Sequence, residues 1–263
     1  MKQIFFRELK ANFKSFLLWT VITAVIIVVG YIEYSGMKEA GETVAAVFGM
    51  MPRIAKIMFG MDDRAPLDTP LGYYMVMYLW ITFITFAYSA MLGADLIAKE
   101  ERDKTSDFLY VKPVTRTQAL TGKFLAGIFY CTAIALVCVI ATVFSFVPML
   151  DIPFTTEVVI THIGMWFSQL VFFAIGFFLA SVLHFRRTTL AAIGVLVVMY
   201  FLMVFIQMSE TYSLNVFCIF QHFYSYDVIQ DGLNPLYMAL SAVLVVLGYF
   251  VSLACYRKRS LHN

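Results

Sequence analysis

Six apolar runs, each long enough to cross a lipid bilayer, leave this 263-residue chain few folds to adopt. A hydrocarbon core of about 30 Å is crossed by roughly 20 helical residues. The runs 16–34, 73–98, 124–147, 159–183, 188–208 and 236–256 meet that length. Their many β-branched and aromatic residues would suit strands in water. In lipid a single segment has to satisfy its own backbone N–H and C=O groups, which selects the helix. The sequence therefore predicts an all-α integral membrane protein, one domain over 1–263 with six transmembrane helices. Hydrophobic residues make up 61% of it, against roughly 45–50% in an ordinary soluble domain, so a soluble core with an anchor is not expected. The first run follows Lys and Arg as a signal peptide would, but it is too long for a signal-peptide core and no small-x-small cleavage site follows near Gly30. It reads as a permanent span.

Lys and Arg in the connections set the orientation. With the N-terminus inside, the inner segments hold Lys2, Arg7, Lys10 and Lys14, then six basic residues between 99 and 123, then Arg186, Arg187, Arg257, Lys258 and Arg259. The outer segments hold only Lys38, Arg53, Lys56 and Arg64, a ratio of fifteen to four. Acidic residues lean outward, with Asp62, Asp63, Asp68, Asp151, Glu157, Glu210, Asp227 and Asp231 on that side. Both termini are expected in the cytosol.

Short amphipathic helices are expected at the N-terminus and in the outer loops. Phe5, Leu9, Phe13 and Phe16 recur at helical spacing, with Arg7, Lys10, Asn12 and Lys14 on other faces, which suits a helix lying in the interface. In the outer connection 35–72 an apolar stripe (Val44, Val47, Phe48, Met51, Ile54, Ala55, Met58) is broken by Pro52, a residue suited to the first turn of a second short helix. Methionines on such a stripe read as packing rather than copper ligands. The connection 209–235 carries Phe217, Phe220, Tyr224 and Tyr226, the makings of an interfacial aromatic belt, and a His222 read as an interfacial or hydrogen-bonding residue rather than a ligand. Sequence leaves open whether this segment dips into the membrane. Cys131 and Cys138 lie seven residues apart, about 10 Å along a helix, beyond disulfide reach, and with Cys218 and Cys255 form no Cys-x-x-Cys pair. They read as small packing residues.

The inner connection 98–123 stands apart. It carries ten of the chain's 36 Lys, Arg, Asp and Glu residues. Within it Asp107-Phe108-Leu109-Tyr110-Val111 is an apolar patch in polar surroundings, Lys112-Pro113 turns the chain, and Thr115 is placed to cap a helix that starts at Arg116 and runs into the third span. An apolar knob with a charged rim is how a docking element looks. A loop that only enforces orientation would explain the basic residues but not the acidic neighbours or Phe108 and Leu109.

No catalytic constellation is present. Around Thr121-Gly122-Lys123-Phe124, Thr117 stands where a P-loop needs its first Gly and Phe124 where it needs Ser or Thr. His-Glu-x-x-His and Gly-x-Ser-x-Gly are missing, and no metal cluster is expected. The span interiors are nearly uncharged: Asp95 and His162 lie toward span ends, and Gln169 and Gln207 are neutral. Coupling to a titrating intramembrane residue is not expected. Energy for any transport would have to arrive from elsewhere, and the 98–123 connection offers the route.

The segment Glu101…Thr105…Leu109…Pro113-Val114-Thr115-Arg116…Gly122-Lys123 resembles the intracellular loop of permease subunits in the type-2 ABC exporter class. Phe6-Arg7-Glu8-Leu9-Lys10 resembles that family's N-terminal segment, as do Met51-Pro52 through Gly60 and the stretch 223–232 their counterparts. Lys104 departs from the pattern, standing where the family usually has Gly before Thr105. The resemblance implies a permease of the bacterial cytoplasmic membrane, paired with a second copy or a related permease and with two cytosolic ATPase subunits. ATP and Mg would be held by the partner ATPase, with no cofactor on this chain. The resemblance gives the coupling role to Glu101, Thr105, Pro113, Arg116 and Lys123, and the apolar patch adds Phe108 and Leu109 as the buried knob. The chain itself is expected to be no enzyme and to touch lipids but no nucleic acid. An apolar or amphipathic substrate suits the apolar walls. The alternative is a non-transporting scaffold or sensor whose inner loop binds a regulatory partner.

Overall fold

The computed structural model describes residues 2–40, 47–102, 115–146 and 155–258. Six of its helices are long and apolar enough to cross a membrane, matching the six runs in the sequence. They are α1 (Lys2–Ala40), α3 (Pro70–Arg102), α4 (Arg116–Phe146), α5 (Thr155–Val182), α6 (Phe185–Ser209) and α8 (Pro235–Lys258). Between them lie the short helices α2 (Arg53–Met58) and α7 (Ser225–Asp231) and a 3-10 turn, Tyr212–Phe217.

Local chemistry sets where these helices begin. The Thr69 hydroxyl accepts from the Gly72 N–H at 3.1 Å, and Pro70 takes the first helical position, where its missing N–H costs nothing. Asn234 and Pro235 repeat the device at α8, with Leu236 N–H donating to Asn234 Oδ1 at 2.9 Å. At α4 the Gln118 N–H donates to Thr115 Oγ1 at 3.2 Å, while the Thr115 N–H donates back to Gln118 Oε1 at 3.4 Å. This is a reciprocal capping box, and it bears out Thr115 as the cap.

At the centre, α3 and α5 bury 67% of their apolar spans, against 18% for α1 and 17% for α8. The two central helices run in the same direction and touch backbone to backbone. A Cβ placed on Gly93 would stand 2.2 Å from the Phe173 carbonyl oxygen, and one on Gly176 would stand 2.1 Å from that of Ala90. Lipid is as apolar as Leu, so helices in a bilayer associate by this close approach of small residues rather than by oily side chains. Around the pair, α4 and α8 pack on α5, α6 packs on both central helices, and α1 lies across α4 with Phe5 against Phe129 and Phe16 against Tyr130. The outward faces carry Leu17 and Val21, Leu136 and Ile140, Val198 and Phe201, and Val246 and Phe250. In water such a surface would aggregate, whereas in a bilayer it meets its solvent.

Three expectations change. The segment 5–16 is helical but continuous with the first span, since nothing between Lys10 and Leu17 breaks a helix. Its inward face is Ile4, Glu8 and Asn12, while Phe13 is 53% exposed. The Asn12 amide donates to the Glu8 carbonyl oxygen at 2.9 Å, and Arg7 pairs with the Glu8 carboxylate. In the last outer connection Phe220 is no interfacial belt residue. It lies among Phe83, Phe86, Phe172 and Tyr200, deep in α3, α5 and α6, and Ser168 Oγ donates to the Ile219 carbonyl oxygen at 3.2 Å. The connection therefore enters the bundle. His222 makes the hydrogen-bonding contact expected of it, Nε2 to the Val216 carbonyl oxygen at 2.9 Å, and stacks on Tyr237. In the first outer connection, α2 begins directly after Pro52, which caps the helix rather than occupying its first turn. Among the described residues the four cysteines are free, with Cys131, Cys138 and Cys218 buried.

Candidate functional site

The end of α3, the start of α4, the α5–α6 turn and the end of α8 meet at one end of the bundle. Each is pinned to a neighbour. The Lys123 side chain is buried, and its ammonium donates to the Leu96 carbonyl oxygen at 2.5 Å, tying α4 to the last turns of α3. Arg116 Nη1 donates to the Arg257 carbonyl oxygen at 3.2 Å, and Arg257 Nη2 donates to Thr117 Oγ1 at 2.7 Å, so α4 and α8 clasp each other reciprocally. The Thr121 and Tyr249 hydroxyls bond at 2.7 Å one turn further in. Glu101 lies 3.9 Å from His184 Nε2 on the α5–α6 turn, and Arg102 pairs with Asp95 at 2.9 Å. The helix ends that flank 103–114 thus form a cross-linked frame rich in Lys, Arg and Glu. Of the residues singled out in the sequence, Glu101, Arg116 and Lys123 belong to this frame. Thr105, Phe108, Leu109 and Pro113 lie outside the described residues, as does Lys104.

The opposite end is built from the outer connections. Arg64 is its hub. Its guanidinium donates to both carboxylate oxygens of Asp62 (Nη2 to Oδ2, 2.7 Å), reaches Asp227 Oδ1 on α7 at 3.3 Å, and lies 4.0 Å above the Tyr226 ring. The Tyr224 hydroxyl donates to Asp62 Oδ2 at 3.1 Å. Arg53 on α2 pairs with Glu210 at the end of α6 at 2.6 Å, Tyr200 of α6 donates to the Met58 carbonyl oxygen, and Lys56 pairs with Asp63 at 3.3 Å. These contacts surround a polar cleft of about 430 Å³. Burial would push the Asp62 carboxyl up, but the Arg64 and Tyr224 hydrogen bonds outweigh it and hold Asp62 below the usual carboxylate range. For Asp227 burial wins over the more distant Arg64 contact, and its carboxyl is pushed up.

Among the described residues no three His, Cys, Asp or Glu side chains are placed to hold a metal ion. A family model described as ABC-2 family transporter protein matches residues 6–243, nearly the whole chain. The chain belongs to this family. It is thus the membrane-spanning permease type of component, and no match to a curated protein accompanies the family match. In this ABC-2 permease the frame around 103–114 depends on residues that the sequence pattern did not single out. Thr117, Arg257, His184 and the Leu96 carbonyl complete it. A loop motif points only to residues near itself, and Arg257 lies 141 positions from its partner Arg116. The polar hub at the other end is equally hidden in sequence, where Asp62, Arg64 and Asp227 are only charges on the outer side. At the level of the hub the family resemblance of 51–60 and 223–232 has a physical counterpart, because these two segments flank one cleft.

Proposed function

We propose that this ABC-2 permease is the pore-forming subunit of an ATP-driven exporter, with both termini and the 98–123 connection in the cytosol of a bacterium. Two ATPase subunits, holding ATP and Mg, dock on that connection, and a second permease copy or a relative completes the channel. The cargo is apolar or amphipathic. The observation that carries this reading is the frame formed by Lys123–Leu96, Arg116–Arg257 and Arg257–Thr117. A push on the segment between Arg102 and Thr115 is passed through it to α3, α4 and α8 together, because packed helices move as rigid bodies rather than bending. A solvated orientation loop would need no such reinforcement.

The test is co-purification of the cognate P-loop ATPase with the wild-type chain and with a Phe108→Asp, Leu109→Asp double variant. Loss of the ATPase, with the variant still folded and in the membrane, is expected. Undiminished association and transport in the variant would sink the docking assignment.

A further inference from the structure

Among the described residues, three of the cavities outside the frame have linings that differ in kind. In the polar cleft around Arg64 the charges already answer one another through Asp62, Asp227 and Asp63. A groove of about 590 Å³ between α5, α6 and α8 is lined by aliphatic side chains, Phe178, Phe217 and His222, with no charged residue. The third, about 670 Å³ between α1 and α3, combines two properties the others keep apart. Its wall is apolar, aromatic and rich in methionine, with Phe59 and Trp80 in ring contact at 6.1 Å and Met61 and Met77 beside them. At its rim stands Glu33, an exposed carboxylate; among the described residues it has no ion pair or hydrogen bond and no Lys or Arg lines the groove.

We propose that this groove binds a hydrophobic organic cation, its charge against Glu33 and its body on Trp80, Phe59 and the methionines. A cation is attracted by the carboxylate and by the faces of the aromatic rings, and both attractions grow as the ligand displaces water. Methionine adapts to ligands of varied shape, which suits a groove without fixed polar groups. An anion of the same shape would bury Glu33 against like charge. A zwitterionic lipid brings a phosphate with its ammonium, and the described residues of the lining offer that phosphate no basic partner. Only in calling the ligand a cargo does this proposal rest on the permease reading.

Equilibrium binding to the purified full chain, without ATPase or nucleotide, separates the two questions. Tetraphenylphosphonium and its anionic isostere tetraphenylborate are the probes, with phosphatidylcholine as competitor. Saturable binding of the cation is expected, with the anion weaker by about tenfold or more and Glu33→Gln losing about tenfold or more of the cation affinity. Trp80→Leu weakens the cation several-fold, and Asp231→Asn, an exposed acid elsewhere, changes nothing. Thermal unfolding of each variant verifies that the fold is kept. Equal binding of the two ions, an indifferent Glu33→Gln, or displacement of the cation by phosphatidylcholine at equal concentration overturns the proposal. Loss of ATPase docking would leave the binding result untouched.

Discussion

Single residues here are decided by who holds their polar atoms. Lys123 is the clearest case: its ammonium is buried and donates to the Leu96 carbonyl oxygen, so its first task is to join α3 to α4. Lys123→Met keeps the length and removes the donor. It is expected to lower unfolding stability in detergent by about 1.5–3 kcal/mol, the range for hydrogen bonds to charged groups, even with no ATPase present. A residue acting only at the docking surface would leave that stability unchanged. The Arg64 hub gives a second test, by acid. Asp62, held below the usual carboxylate range, contributes stability that is fully present above its unfolded pKa of 3.8 and is lost as pH falls through its lower folded value. Asp227 acts in the opposite sense, because burial raises its folded pKa and protonation on acidification relieves that penalty. Melting curves from neutral to about pH 3 are expected to show Asp62→Asn destabilised at neutral pH with a shallower acid loss, and Asp227→Asn much closer to wild type. Of these residues the sequence motif pointed to Lys123 alone, and it carried no sign of the buried carbonyl that Lys123 meets. Glu33 closes an apolar run, and one charge at a span end is ordinary in sequence until a groove is seen beside it.

At the scale of elements, the contact between α3 and α5 organises the rest. Gly93 and Gly176 let two backbones touch where any side chain would force them apart. Gly93→Val and Gly176→Val are each expected to cost more than the roughly 1–3 kcal/mol of ordinary overpacking, because the obstacle is backbone and cannot rotate away. Gly194, with nothing within 4 Å of an added Cβ, is the control. Gly194→Ala is expected to be neutral or slightly stabilising, since Ala favours helix by about 1 kcal/mol over Gly. Thermal unfolding of the three variants, read by intrinsic fluorescence, checks both statements. The existence of the helices was legible because length and hydropathy alone answer to lipid thickness. The Thr115 cap was legible because capping is local. Which face of a helix turns inward was not. Phe13 gains as much from lipid as from protein, so the stripe Phe5, Leu9, Phe13 and Phe16 carries no preference for burial, and Glu8 and Asn12 take the inner face by bonding Arg7 and the helix backbone. For the same reason Phe220, read as a belt residue, sits instead among the rings of α3, α5 and α6.

For the whole molecule the decisive asymmetry is electrical. The helix ends around 103–114 carry Lys99, Arg102, Arg116, Arg186, Arg187, Arg257 and Lys258, whereas at the other end Arg53, Lys56 and Arg64 are each paired with acids. Insertion holds Lys and Arg on the cytosolic side and is nearly indifferent to Asp and Glu, so the count of basic residues alone supports the proposed orientation, with this end inside. The structure supplies reporters for both ends. Met50 is 85% exposed beside α2, and Arg186 is exposed at the start of α6. The native Cys131, Cys138 and Cys218 are buried and will stay unlabelled, and Cys255→Ser removes the remaining thiol. In that background Met50→Cys is expected to react with a membrane-impermeant maleimide on intact cells, and Arg186→Cys only after permeabilisation. The reverse pattern would place the frame outside, beyond reach of any cytosolic ATPase, and the exporter reading would fall with it. Labelling of both sites on intact cells would mean mixed orientation and would equally overturn the proposed topology, which rests on a bias of fifteen basic residues to four.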